Sequence, residues 1–273
     1  MVNIKSEREI ESLRASADLV GRTLAEVARV IGPGVTTKTL DALAEEFIRD
    51  NGAEPAFKGY GSGSNVFPAT LCTSLDDVVV HGIPNDTELR DGELLSVDCG
   101  VILDGFYGDS AYTFSIGEVT EEAKALCSIT YNALNAAVEQ ATTGKRIGDI
   151  GSAVQSLCES NGYGVVRALV GHGIGQNLHE DPQVPNFGRP GNGRKLKTGL
   201  TICIEPMINQ GDAEVYTDKD GWTVRTSDGK PSAHYELMVV VQPGKPDVLT
   251  SFSPIEEALD ILPYNMIADI EHG

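Results

Sequence analysis

The chain is predicted to adopt an α+β fold built from two pseudo-symmetric halves, with helices outside and a central antiparallel sheet. Three observations carry that expectation. Two apolar-periodic helical segments precede any strand-like run, and the same helix-helix pattern returns 110 residues later without a gap. The third is a pair of runs, Leu94–Leu103 and Phe106–Ser115, rich in β-branched and aromatic residues and joined only by Asp104-Gly105.

The elements follow in order. Ser6 with Glu9 forms an S-x-x-E capping box, and Ile10, Leu13, Ala17, Val20, Leu24, Val27 and Ile31 recur at helical spacing until Gly32-Pro33-Gly34 stops them. A second helix starts near Thr37, buries Leu40, Leu43, Ala44 and Phe47, and ends at Asn51-Gly52. Under the 110-residue shift Leu24 falls on Leu134, Gly34 on Gly144, Leu40 on Ile150, Phe47 on Leu157, and Asn51-Gly52 on Asn161-Gly162. That is an internal duplication, and each half reads helix, helix, strands. The first half supplies the hairpin turned by Asp104-Gly105. The second supplies strands near Tyr163–Val170, Leu200–Met207 and His234–Val241. No linker or low-complexity stretch separates the halves, so residues 1–250 are expected to form one domain, with pseudo-repeats at about 6–115 and 120–250. Residues 251–273 are expected to be a C-terminal tail or a packed appendage.

Composition narrows the function classes. Forty acidic against 21 basic residues give a net charge of −19, with no basic stripe to neutralise phosphates, so a nucleic-acid substrate is excluded. No run approaches the roughly 20 apolar residues of a spanning helix, and the charged N-terminus lacks an apolar signal core. A cytoplasmic protein with no membrane partner is expected. The five cysteines (Cys72, Cys99, Cys127, Cys158, Cys203) are scattered without a C-x-x-C pair, which argues against disulfides and a thiolate zinc site.

The hairpin register brings chemistry with it. Leu103 pairs with Phe106, so Asp98 lies opposite Ala111, and Asp109 shares its face on the diagonal, roughly 7–8 Å away between backbones. Two carboxylates converging on a partly buried face repel and are driven to protonate unless a cation sits between them. The alternative is two solvated acids on an exposed face. The second half adds Gly171-His172-Gly173-Ile174-Gly175, where glycines let a ligand approach the backbone, and acids within apolar runs at Glu205 and Glu236. Two divalent cations balance the four carboxylates, with neutral His172 as a nitrogen ligand. This donor set suits Mn, Fe, Co or Zn better than Cu, and the sequence does not choose among them. A two-metal site of this kind is hydrolytic machinery. His81 and His179 have no metal role on this reading, and as residues alone they are ordinary histidines. No G-x-S-x-G elbow offers a competing nucleophile.

These residues resemble those of the type I methionine aminopeptidases, metallopeptidases of the pita-bread fold, from about Ile4 to Thr250. The likeness is carried by Val80-His-Gly-Ile-Pro84, by Val97-Asp98 with Asp104-Gly-Phe-Tyr-Gly-Asp109, and by Gly171-His-Gly-Ile-Gly175 with His179-Glu-Asp-Pro182. Ile204-Glu-Pro-Met207, and Asp220-Gly-Trp222 followed by Tyr235-Glu236, complete it. The resemblance implies removal of the initiator methionine from nascent polypeptide N-termini when the second residue is small, by attack of a hydroxide bridging two metals. It implies Asp98, Asp109, His172, Glu205 and Glu236 as ligands, with Asp109 and Glu236 bridging and Glu205 also shuttling the proton. His81 and His179 become catalytic, substrate-contacting histidines, and Tyr60, Phe67, Cys72 and Trp222 line the methionine pocket. A monomer is expected, and docking to the ribosome is left open. The chain departs from the family pattern in a longer Tyr60–Phe67 loop, in Asp76 where asparagine is common, and in Leu237 where histidine is common. Two rival readings are a proline-directed peptidase of the same fold, which generally carries a further N-terminal domain for which this chain has no room, and a non-catalytic binding protein, expected to have lost ligands that are all present here.

Overall fold

The computed structural model describes residues 2–63 and 65–260. Helix α1 (Glu7–Val30) begins at Ser6, whose hydroxyl accepts from the Glu9 amide while the Glu9 carboxylate accepts from the Ser6 amide, so the capping box closes in both directions. α2 (Thr37–Asp50) is capped by Thr36 and closes at Asn51. The second pair, α3 (Glu121–Val138) and α4 (Ile147–Ser160), repeats this layout. α2 and α4 coincide residue for residue under the shift, and their closing contact recurs. Asn51 Nδ2 donates to the Phe47 carbonyl and Asn161 Nδ2 to that of Leu157, each at 2.8 Å. The interior of α2 differs from expectation in one respect: Ile48 is buried, whereas Leu43 and Phe47 are only partly covered. Arg22 lies over the Phe47 ring instead.

The hairpin pairs along its whole length, Leu103 with Phe106 and Asp98 with Ala111. Asp104 and Gly105 both take positive φ, 49° and 79°, as a two-residue turn matched to strand twist requires. Strand Leu94–Leu103 is also paired with Leu71–Leu75, which sets Cys72 opposite Asp98, and with Glu54–Pro55. α1 lies directly on strand Phe106–Ser115. A Cβ on Gly108 would stand 2.6 Å from the Ser16 carbonyl carbon, so the close approach needs glycine there.

In the second half the expected strands are present but interrupted. Of Tyr163–Val170 only Gly164–Val165 is a strand, and the glycine-rich Gly171–Gly173 is itself one. The Leu200–Met207 run splits into Thr201–Ile204 and Met207–Asn209, and the His234–Val241 run into Ser232–His234 and Leu237–Val240. The first member of one split pairs with the last of the other, so the chain steps from a five-stranded to a three-stranded sheet at the first break and back again at the second. The physical reasons are local. Pro206 has no N–H to give a ladder. At Glu236 the backbone bonds to the other half: its amide donates to the Ala111 carbonyl at 2.9 Å and its carbonyl accepts from Ser110 Oγ at 2.7 Å. Ile204 opposes Leu237 and Met207 opposes His234 in one common register, so Glu205 and Glu236 face each other in the gap.

Beyond Thr250, α5 (Ser253–Leu259) packs on α1, with Phe252 and Ile255 buried and Tyr131 donating to Glu256 at 3.1 Å. The rest of the expected tail, 261–273, lies outside the described residues. Among the described residues no helix is long and apolar enough to cross a membrane.

Candidate metal centre and peptide cleft

One cleft of about 160 Å³ is lined by every residue singled out from the sequence: Asp98, Asp109, His172, Glu205 and Glu236, His81 and His179, and Tyr60, Phe67, Cys72 and Trp222. The acids arrive from different elements. Asp98 and Asp109 come from the hairpin with their carboxyl groups in mutual hydrogen-bond reach, and Glu205 and Glu236 come from the two strand breaks. His172 sits in the strand Gly171–Gly173, where added Cβ atoms at its flanking glycines would meet the carbonyls of Cys203 and Asp181 at 2.4 Å. Its Nδ1 lies 2.9 Å from the Gly173 carbonyl, an acceptor only, so Nδ1 carries the proton and Nε2 is a bare lone pair. That lone pair stands 3.5 Å from Glu205 Oε1 and 3.8 Å from Asp109 Oδ2.

The electrostatics are those of a site made for cations. No lysine or arginine lines the cleft. Burial, with each acid's negative neighbours, pushes Asp109, Glu205 and Glu236 well above the carboxylate range, and burial raises Asp98 to about 7. Asp98 Oδ1, Asp109 Oδ1 and Glu236 Oε1 are buried without a hydrogen-bond partner, which costs each oxygen its hydration with nothing in return. Oxygen-rich donors with one imidazole suit a divalent metal. Asp109, His172, Glu236 and Cys203 each place a ligand atom within 4.8 Å of the others. Cys203 was not singled out from the sequence. Burial and the adjacent acids hold its thiol well above its usual pKa, and it hydrogen-bonds Glu236.

The other wall is apolar and aromatic. Phe67 and Trp222 meet edge to face at 5.3 Å, and Trp222 is held by Asp220, whose carboxylate accepts from the Trp222 and Thr223 amides at 2.8 and 2.9 Å. His81 takes φ 59°, a left-handed backbone uncommon for a residue with a side chain, and Gly82 behind it leaves no room for a Cβ against the Thr73 carbonyl. Burial holds His81 at about 4 and His179 below its usual value, so both are neutral donors near pH 7. Two further residues at the site escaped the sequence reading. His234 is fully enclosed, with Nε2 unpartnered and 3.9 Å from Glu205 Oε2, and Asn186 holds the Glu205 carbonyl at 3.0 Å. Neither sits in a pattern distinct from an ordinary strand or loop.

The model of metallopeptidase family M24 matches residues 11–243. A methionine aminopeptidase of Clostridium perfringens is 49% identical over 92% of this chain and 99% of its own length. The crystal structure of methionine aminopeptidase from Rickettsia prowazekii superposes with a TM-score of 0.89 at 39% identity, over 92% of this chain and all of that one. An X-Pro aminopeptidase from Thermotoga maritima shares the fold alone, with a TM-score of 0.71 at 24% identity, this chain spanning 62% of it. The fold is the pita-bread fold that the motifs implied, and the chain belongs to metallopeptidase family M24, in its methionine aminopeptidase branch.

Proposed function

We infer that this protein is a metal-dependent aminopeptidase that removes the initiator methionine from nascent polypeptides whose second residue is small. The observation that carries the reading is the convergence of four carboxylates, Asp109 and Glu236 buried and Asp98 and Glu205 partly so, with the His172 Nε2 lone pair, without a basic counter-charge, beside an aromatic wall. Asp98, Asp109, His172, Glu205 and Glu236 would hold two divalent cations (Co, Mn, Fe or Zn). When bound, they acidify water and polarise the scissile carbonyl. The chain's residues do the rest. Tyr60, Phe67, Cys72 and Trp222 take the methionine side chain, whose thioether packs favourably on aromatic rings. Glu205 accepts the proton of the attacking water and returns it to the leaving amine. Neutral His179 and His81 donate to the scissile amide and to the negative oxygen that develops on its carbon.

The five cysteines are buried and free, which supports a reducing cytoplasm as the place of action. Residues up to about 250 act as one duplicated domain and work as a monomer, with the N-termini of new chains, at or near the ribosome, as its partners. The decisive assay is methionine release from Met-Ala-Ser, Met-Lys-Ser and Ala-Pro peptides before and after chelation. Hydrolysis of Met-Ala-Ser alone, lost on chelation and restored by metal, is expected. Preference for Ala-Pro or indifference to chelation overturns the reading.

A further inference from the structure

The Tyr60 side chain does more than wall the pocket. Its hydroxyl lies 2.5 Å from Nδ1 of His179, and the two rings meet at 5.3 Å and 67°. The backbone holds it there firmly. The Tyr60 amide donates to Phe57, its carbonyl accepts from Phe67, and Gly59 donates back to Phe67, each at 2.8 Å, so Tyr60 opens a short ladder continued by Gly61–Ser62 against Asn65–Val66. That ladder is seated on the pocket. An added Cβ at Gly61 would stand 3.2 Å from Cζ2 of Trp222 and 2.6 Å from the Asn65 carbonyl, so only glycine lets the strand lie so close to the indole.

Resting on the peptidase reading above, we propose that Tyr60 is a positioning residue that fixes the tautomer of His179. A phenol is a far better proton donor than a neutral imidazole N–H, and an imidazole nitrogen is a better acceptor than a phenol oxygen, so the proton lies on Tyr60 and points at Nδ1. The ring proton of His179 is then confined to Nε2, the other ring nitrogen, in a residue that lines the cleft. Without the hydroxyl the ring is free to carry its proton on Nδ1, which turns Nε2 into an acceptor. An acceptor repels the oxygen that becomes negative during attack on the peptide carbonyl. Burial raises the Tyr60 pKa, which keeps the phenol protonated and the arrangement intact. The strands around Gly61 and Val66 thereby act through Tyr60 on the chemistry as well as on the pocket shape.

The test compares Tyr60→Phe, which keeps the ring and loses the hydroxyl, with Tyr60→Leu, which loses both, in zinc-loaded enzyme. The His179 tautomer is read by long-range ¹H–¹⁵N NMR without substrate, its signal assigned with His179→Gln. The parent is expected to show Nε2–H alone and Tyr60→Phe a mixture of tautomers. On Met-Ala-Ser, loss of one such hydrogen bond should lower kcat of Tyr60→Phe by about five- to tenfold with KM within about twofold, while Tyr60→Leu also raises KM. An unchanged tautomer in Tyr60→Phe, an unchanged kcat, or a change confined to KM overturns the proposal. Failure of the parent to release methionine would instead sink the functional reading, because the tautomer is measured independently of turnover.

Discussion

Replacing Asp98 with asparagine removes one negative charge from the acid cluster without changing its shape, and the metal-free protein should become more stable for it. In the fold the Asp98 carboxyl is raised by burial from its ordinary 3.8 to about 7, roughly three units, or about 4 kcal/mol at 1.36 kcal/mol per unit once the pH is well above 7. Because the folded carboxyl titrates above its unfolded value, its full contribution to stability is present below about pH 4 and is lost as pH climbs through about 7. Asparagine escapes that loss and keeps an acceptor for the Cys99 amide, while weaker hydrogen bonding returns about 1 kcal/mol. The net gain is about 3 kcal/mol at pH 8.5, or about 6 °C in Tm for a domain of this size, shrinking below about 1 kcal/mol at pH 5. The assay is thermal unfolding of chelator-treated parent and Asp98→Asn across that range, repeated with added Mn or Zn. Metal should raise Tm of the parent steeply and of the variant much less. The reasoning is refuted if the stripped variant melts at or below the parent at pH 8.5, or if the gap does not close on acidification.

Other consequences can be checked more quickly. Glu205→Gln should lower kcat on Met-Ala-Ser by about 10²–10⁴-fold with an unchanged far-UV spectrum, and a loss under tenfold would remove Glu205 from proton transfer. Asp109→Ala should abolish turnover and weaken metal uptake in calorimetry while the chain stays folded; retained activity would take Asp109 out of the metal centre. Trp222→Ala strips one aromatic wall from the methionine pocket, so KM should rise by about tenfold or more, and a change in kcat alone would count against the pocket assignment.

Much of the fold was legible because its signals are local. Ser6 and Glu9 lie within one turn, Asn51 and Asn161 close their helices through their own side chains, and Asp104-Gly105 specifies a register without outside help. The acids stood out because charge inside apolar runs needs a partner, whereas His81 and His179 stood out only through the family resemblance. What escaped depends on distant contacts. The break at Glu236 follows from bonds to Ala111 and Ser110, which no window of sequence around Glu236 contains. His234 reads as one more strand residue until folding brings Glu205 beside it. The short ladder after Tyr60 is glycine-rich and lacks the β-branched pattern of a strand, so it read only as a long loop.

The seam where Glu236 abandons its own sheet to bond the hairpin has a wider implication. Asp98 and Asp109 stand on the hairpin of the first half, and His172, Glu205 and Glu236 on strands or strand breaks of the second, so neither half holds the whole set by itself. If these residues hold the proposed ions, ion affinity becomes a gauge of how faithfully the two halves are mated. Any lesion that lets them slip, however far from the cleft, should announce itself first as leakage of metal and only later as unfolding.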